Sequence, residues 1–413
     1  MKMKCLLPIL MAAVALGIGP AGAGADEGPI KIGAMFISSG KLGGYGINGC
    51  NAIKMAVEEI NASGGILGRK LEAVYGDTKL KPEVVAELVE KFLNEDKVDF
   101  LMGPTSSGLA LALSEAARKN KKILVVTQAA AGALTGEKFN PYLFSTLSNA
   151  MMHARAGAYL MASKPYKKWM VVAPDYNFGH ESWQFFKDKL KELRPDVEFV
   201  GEAWPKLMAE DYAPFVKEVL EKKPDAVWCP LWGDDAVRFI KQGLPEKLFD
   251  NVKFAMSCGA ALEVLIPVGK DMPEGLYMSS RYLFTTPDTD ENRRFAKSYK
   301  EKYGEYPDYM AGETYSGVYF LKAAIERAGS TDSDKIIAAV EAHPFAWDTP
   351  EGWKIMRKED HQAVEDVIWG ETFFSDEYEF PVLKNIISIQ AEQIGRSPSE
   401  LKKVMDIRGQ APK

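Results

Sequence analysis

Cysteine and histidine are scarce in this chain, with four of each among 413 residues. His153, His180, His343 and His361 stand far apart, and none has metal-ligand spacing with a cysteine. There is no H-E-x-x-H, no G-x-S-x-G elbow and no Walker loop, so three common catalytic signatures are missing. Positive charge is short as well: 51 Lys and Arg face 57 Asp and Glu, a formal net charge of −6. A mildly acidic chain lacks the electrostatic footprint of a nucleic-acid binder. Long apolar runs are confined to one segment, Leu6 to Ile18. That is short of the ~20 residues a membrane span needs.

The apolar segment reads as an export signal. Lys2 and Lys4 precede it and AGAGAD follows, giving a basic n-region, an apolar h-region and an A-x-A-like cleavage site. Cleavage is expected after Ala25, so residues 1–25 are lost and the exported protein starts at Asp26. Cys5 lies before the apolar run, where it cannot anchor a lipoprotein. Cys50, Cys229 and Cys258 remain, enough for at most one disulfide. Cys229 and Cys258 both fall at strand ends; a bridge between them is open, but two buried thiols are favoured, since free cysteine packs as a small hydrophobe.

What is abundant is alternation of short aliphatic strands with amphipathic helices. KIGAMF precedes a helix around NAIKMAVEEINASGG, in which Ile53, Ala56, Val57 and Ile60 recur at helical spacing. KLEAVYGD, VDFLMG and KILVVTQ continue the strands. After a helix through MMHARAGAYLMAS the pattern restarts with WMVVAPD, VEFVGEAWP, AVWCPLW and VKFAMS. Strands that are apolar throughout, without alternation, suit parallel sheets covered on both faces. The expected class is α/β, with two doubly wound parallel-sheet domains. In such sheets ligands bind beyond the carboxyl ends of the strands. The informative segments are therefore ISSGKLGGYG, GPTSSG, TQAAAG, APDYNFG, PLWGDD and SCGAA.

Inside the first of these, Gly44, Gly46 and Gly49 spell G-x-G-x-x-G, the spacing of a dinucleotide turn. The seven residues ISSGKLG separate the strand from Gly44, whereas a Rossmann glycine closes the turn directly after its strand. Asp77 also lies too far on to hold a ribose, and free NAD is not plentiful outside the cytoplasm. The motif is read as a decoy, and no cofactor or metal is expected. Ser106 and Ser107 admit two readings: an N-cap for the helix LALALSEAARKN, or hydroxyls over a helix N-terminus that receives an anion. Glu359 and Asp360 beside His361 are read as a charged turn.

Taken together, IKIGAMFISSG, AVEEINASGGILGRKLE, MGPTSSGLALA, ILVVTQAAAGALT, APDYNFG and TPEGWKIMRKEDHQ resemble the type I periplasmic solute-binding proteins of the branched-chain amino-acid group. These serve ATP-driven importers. The resemblance covers nearly all of the mature chain. It implies two lobes joined by three crossovers, closing on a ligand by a hinge, with GYGING in a cleft loop. The expected lobes are 28–146 plus 280–353 and 147–279 plus 354–405. It further implies that Ser107 meets a ligand carboxylate, and that the backbone at Ala129 meets the α-amino and carboxylate groups of an amino acid. Tyr45, Phe178 and Trp232 would wall the side-chain pocket.

The departures point to a different ligand. Ala131 stands where the family has a carboxylate-binding threonine, leaving only its backbone N–H. Cys258 stands where the family has the acid that pairs with the α-ammonium; Glu263, a helical turn later, is a doubtful substitute. A buried ammonium without its partner costs about 3–5 kcal/mol. The expected ligand is therefore a small organic carboxylate, apolar or aromatic, passed by a monomeric receptor to a membrane permease without chemistry. An amino-acid or amide receptor and a secreted α/β enzyme are the alternatives. N-terminal sequencing of the exported protein should begin at or near Asp26; Met1 retained on a membrane-bound form would refute the export signal.

Overall fold

A computed structural model describes residues 28–410 of the chain, so the expected signal segment lies outside the described residues. The strands, in chain order, are β1 (Ile30–Phe36), β2 (Leu71–Asp77), β3 (Phe100–Met102), β4 (Leu124–Val126) and β5 (Leu143–Ser145). They continue with β6 (Lys168–Val172), β7 (Glu198–Ala203), β8 (Ala226–Trp228), β9 (Lys253–Met256) and β10 (Tyr277–Ser279). The last are β11 (Phe345–Trp347), β12 (Lys354–Arg357), β13 (Gln362–Val364), β14 (Val367–Phe373) and β15 (Val382–Ile389).

Two sheets result. The first has the order β11-β12-β13-β5-β4-β3-β1-β2, and the second β15-β14-β10-β9-β8-β6-β7. The strands from β1 to β5 and from β6 to β10 pair in parallel, as expected of runs buried on both faces. Each sheet then gains an antiparallel margin, β11-β12-β13 in one and β14-β15 in the other. The sheets are therefore mixed rather than wholly parallel. The chain passes between them three times: after β5, after β10, and after β13, where only Glu365 and Asp366 intervene before β14.

The expected boundary at 353/354 needs correction. β12 and β13 pair within the first sheet, so the last crossing falls at Glu365 and not before Lys354. These short strands carry no sequence period long enough to recognise. The C-terminal stretch also serves both lobes: Glu400 pairs with Arg155 on the second, and Arg408 with Glu341 on the first.

The positions of β1 and β6 decide where a cleft can form. β1 lies between β2 and β3, and β6 between β7 and β8, so the winding direction reverses at β1/β3 and at β6/β8. Loops leaving strands at such a switch point diverge and leave a crevice. Here the two crevices face each other.

The glycine run is not a loop. A helix begins at Gly43 and extends to Ala62, so GYGING forms its first two turns. A methyl group at Gly46 would lie 1.9 Å from the Ile37 carbonyl oxygen, and one at Gly49 would lie 2.6 Å from Gln128 Nε2. Those glycines let the helix press onto the exit of β1. Gly44 is exposed, with nothing near its Cβ direction. Gly46→Ala should therefore destabilise by ~1–3 kcal/mol through overpacking. Gly44→Ala should be neutral, or stabilising by up to about 1 kcal/mol through helix propensity. Denaturant midpoints for both variants test the contrast; equal effects would refute it.

Candidate functional site

A cavity of about 220 Å³ lies between the lobes, at the carboxyl ends of both sheets. From the β1 and β3 exits come Leu42, Thr105, Ser106 and Ser107. From the β6 and β8 exits come Tyr176, Phe178 and Trp232, with Cys258 after β9 and Arg281 after β10. Most of the remaining lining is apolar or uncharged, and Arg281 is the only charged side chain among it.

Four of the expected site residues line this cavity: Ser107, Phe178, Trp232 and Cys258. Ala129 and Ala131 do not; both are buried, and their neighbours Gln128 and Ala130 face the cavity instead. The segment after Ala131 turns into a short 3-10 helix whose first amide, on Gly132, donates to Glu181 of the other lobe at 2.9 Å. Tyr45 is also outside the lining. Its ring stands edge-on to Trp232 at 5.4 Å and backs that indole across the cleft. Trp232 is further held by its Nε1–H, which donates to the Tyr176 hydroxyl at 3.0 Å.

Ser106 is the N-cap of the helix Ser107–Lys119, yet its side chain makes no capping bond. Neither it nor the Ser107 hydroxyl has a hydrogen-bond partner among the described residues. The N-cap explanation for these serines therefore fails. Both hydroxyls and the positive end of the helix dipole are left facing the cavity, an arrangement that suits an anion.

Arg281 escaped the sequence reading. It sits three residues after Met278 in the segment that leaves β10, so the rule of strand exits would have found it. Its Nη1 donates to the Gln128 carbonyl at 2.8 Å, its Nε lies 3.4 Å from Glu313, and its guanidinium covers the Tyr309 ring at 4.6 Å. His153 borders the same region, with Nε2 2.9 Å from Ser148 Oγ. Burial, aided by the nearby Arg281 charge, pushes its pKa down to about 3, so the imidazole is neutral. Burial pushes the Cys258 thiol up to about 11, so it too is uncharged at neutral pH. All three described cysteines are free thiols.

Glu263 is not in the lining. Its carboxylate accepts from the Tyr309 hydroxyl at 3.3 Å and lies in hydrogen-bonding contact with Tyr45, so it joins the lobes. His361 is remote from the cavity and fully buried, stacked on Phe144 at 4.1 Å and bonded to Leu143 O and Glu341. It holds the first sheet together, and Asp360 beside it pairs with Arg357 and Arg396. The charged turn at Glu359 and Asp360 is present, with Asp360 fully buried in an ion cluster.

The family model described as periplasmic binding protein matches residues 29–372. A curated relative, Leu/Ile/Val-binding protein homolog 7 of Brucella abortus (strain 2308), is 25% identical over 351 residues, covering 82% of this chain and 86% of its own. An ABC-type branched-chain amino acid transporter structure from Rhodopseudomonas palustris CGA009 is 26% identical, with a TM-score of 0.75 over 89% of this chain and 98% of that one. A solute binding protein of an ABC transporter from Rhodopseudomonas palustris BisB5, solved with 3,4-dihydroxy benzoic acid, is 23% identical. Its TM-score is 0.79 over 91% of this chain and all (100%) of its own.

Glu263 yields a pH test of the lobe contact. Burial first, then the Asp308 charge, pushes its pKa up to about 8, against about 4.3 when unfolded. Between those values the folded state holds more protons than the unfolded one. The stability linked to this group is present below about pH 4 and declines as pH rises through about 8. Melting temperatures from pH 5 to pH 8 should fall less steeply for Glu263→Gln than for wild type; parallel curves would refute this.

Proposed function

This chain belongs to the periplasmic binding protein family, and we propose that it is the exported substrate-binding component of an ATP-driven importer for an aromatic or apolar monocarboxylate. One observation carries the ligand class: Arg281 is a lone cation facing an otherwise uncharged cavity. A carboxylate brought there gains a charge-assisted, two-pronged partner that water does not compete for. The unbonded Ser106 and Ser107 hydroxyls, with the helix N-terminus behind them, supply further donors on the first lobe.

The apolar part of the ligand has Phe178, Trp232, Tyr176 and Leu42 to pack against. At about 220 Å³ the cavity exceeds the roughly 150 Å³ known to admit a single benzene ring. One fold neighbour was solved with an aromatic acid and another is named for branched-chain amino acids. The lining favours the first class. An α-ammonium would meet the Cys258 thiol where the family resemblance expects an acid, and Glu263 is engaged by Tyr309. That mismatch, at about 3–5 kcal/mol, is over two decades of affinity. Closure of the lobes holds the ligand until the permease takes it, and the ligand leaves chemically unchanged.

Calorimetric titration should detect benzoate or 4-hydroxybenzoate, with leucine weak or silent, and the acid should be recovered intact. Arg281→Gln should raise Kd by two decades or more, and Ser107→Ala should cost ~1.5–3 kcal/mol of binding. Cys258→Glu should improve leucine binding and weaken benzoate, because two carboxylates would then share one cleft of low dielectric. Tight leucine binding by wild type would transfer the protein to the amino-acid receptors. Turnover of the acid would make it an enzyme.

A further inference from the structure

Behind Arg281 the three crossovers meet around a group of buried charges that the cavity alone does not explain. Lys354, fully buried at the start of β12, lies 3.0 Å from Glu365 of the third crossover and 3.4 Å from Glu351. It also donates to the Thr146 carbonyl of the first crossover at 3.1 Å. Glu313, on the helix Tyr309–Ala328, lies behind Arg281 of the second crossover and is itself fully buried. The charged groups facing Glu313 are thus Arg281, Lys354, Glu351 and Glu365, with the neutral His153 beside Arg281.

Two cations here face three carboxylates, so the ionised cluster is one charge too negative. The hydrogen bonding repeats the imbalance. Among the described residues, Glu313 Oε1 and Oε2, Glu351 Oε1 and Glu365 Oε1 accept no hydrogen bond, although all are buried. Buried carboxylate oxygens without donors are costly, and a proton supplies the missing donor. Bringing in a ligand carboxylate as a fourth anion would deepen the deficit.

We propose that the ligand carboxylate replaces Glu313 as the partner of Arg281, and that Glu313 then takes up one proton from solvent. The proposal rests on the carboxylate reading of the cleft. The exchange leaves the buried charge where it began: one anion enters with one H⁺. Burial favours the protonated form of Glu313, raising it well above the usual carboxylate range against the pull of Arg281 and Lys354. Opening the cleft admits water to the Arg281 face and favours the ionised form, so proton uptake and closure proceed together. Glu313 is then a positioning residue that fixes the ligand's charge without touching it. A neutral amide offers Arg281 no anion to exchange.

Titration of the mature protein with benzoate, in two buffers of different ionisation enthalpy, reads the proton directly. Benzoate stays ionised from pH 6 to pH 8.5, as carboxylic acids titrate near 4. Wild type should take up about one proton per benzoate, with Kd rising about tenfold per pH unit. Glu313→Gln should show buffer-independent heat and a flat Kd, and at pH 8 should bind benzoate more tightly than wild type, because Arg281 has lost its competitor. Glu313→Asp keeps the acid and should keep the uptake, so the wild-type and Asp pair decides the matter even if the Gln variant fails to fold. Benzoate bound with buffer-independent heat by wild type would overturn the exchange and leave the carboxylate site standing. Absence of heat with benzoate and 4-hydroxybenzoate alike would overturn the ligand class, and the exchange with it.

Discussion

A guanidinium buried between two lobes must be neutralised there, and much of the site follows from how Arg281 is accommodated. Taking such a charge out of water costs several kcal/mol unless partners surround it. The chain supplies Glu313 and the Tyr309 face from one helix, and the Gln128 carbonyl from the β4 exit. Those partners belong to the first lobe, whereas Arg281 leaves β10 of the second. The pairing therefore draws the second crossover against the first sheet. Lys354 does the same for the other two crossovers through Thr146 and Glu365. The connection between lobes is an electrostatic knot, and the cavity opens directly in front of it.

The contacts that hold the lobes at the rim differ in kind. Tyr45 against Trp232, Tyr309 with Glu263, and Gly132 with Glu181 each join one lobe to the other by a single ring contact or hydrogen bond. Partly buried single bonds of this type are worth about 1 kcal/mol net each. Three crossovers with a dense charged centre and a sparse rim suit hinge motion, in which a few connecting residues absorb the change. The central strands of each sheet are buried on both faces, and such close packing suits lobes that would move as rigid bodies.

The helix termini give the cavity its sign. Helices starting at Ser107, Asn177 and Gly233 begin where strands of the two switch points end, and none of the three has a side-chain cap. Capping would have satisfied those amides locally, as Asn149 does for the helix Ala150–Ala162. Left uncapped, the helix starts at Ser107 and Asn177, with no acidic residue in their first turns, add their positive ends to Arg281. The apolar walls raise the value of each of these interactions by excluding water.

Alternation of aliphatic strands and amphipathic helices was enough to place the chain among two-domain α/β proteins, because burial on both faces writes itself locally into each strand. The same local logic located the strand exits, and with them Ser107, Phe178, Trp232 and Cys258. It also dismissed the G-x-G-x-x-G spacing, though Gly46 and Gly49 proved to be points of helix packing rather than parts of a loop. The antiparallel margins, the crossing at Glu365 and the backing role of Tyr45 depend on pairings between segments far apart in the chain, which no local period records. Arg281 is the clearest case. One arginine among 51 basic residues looks like any other until the fold surrounds it with Glu313, Gln128 and Tyr309, because its meaning lies in loss of solvent, and solvent is lost only when the lobes come together.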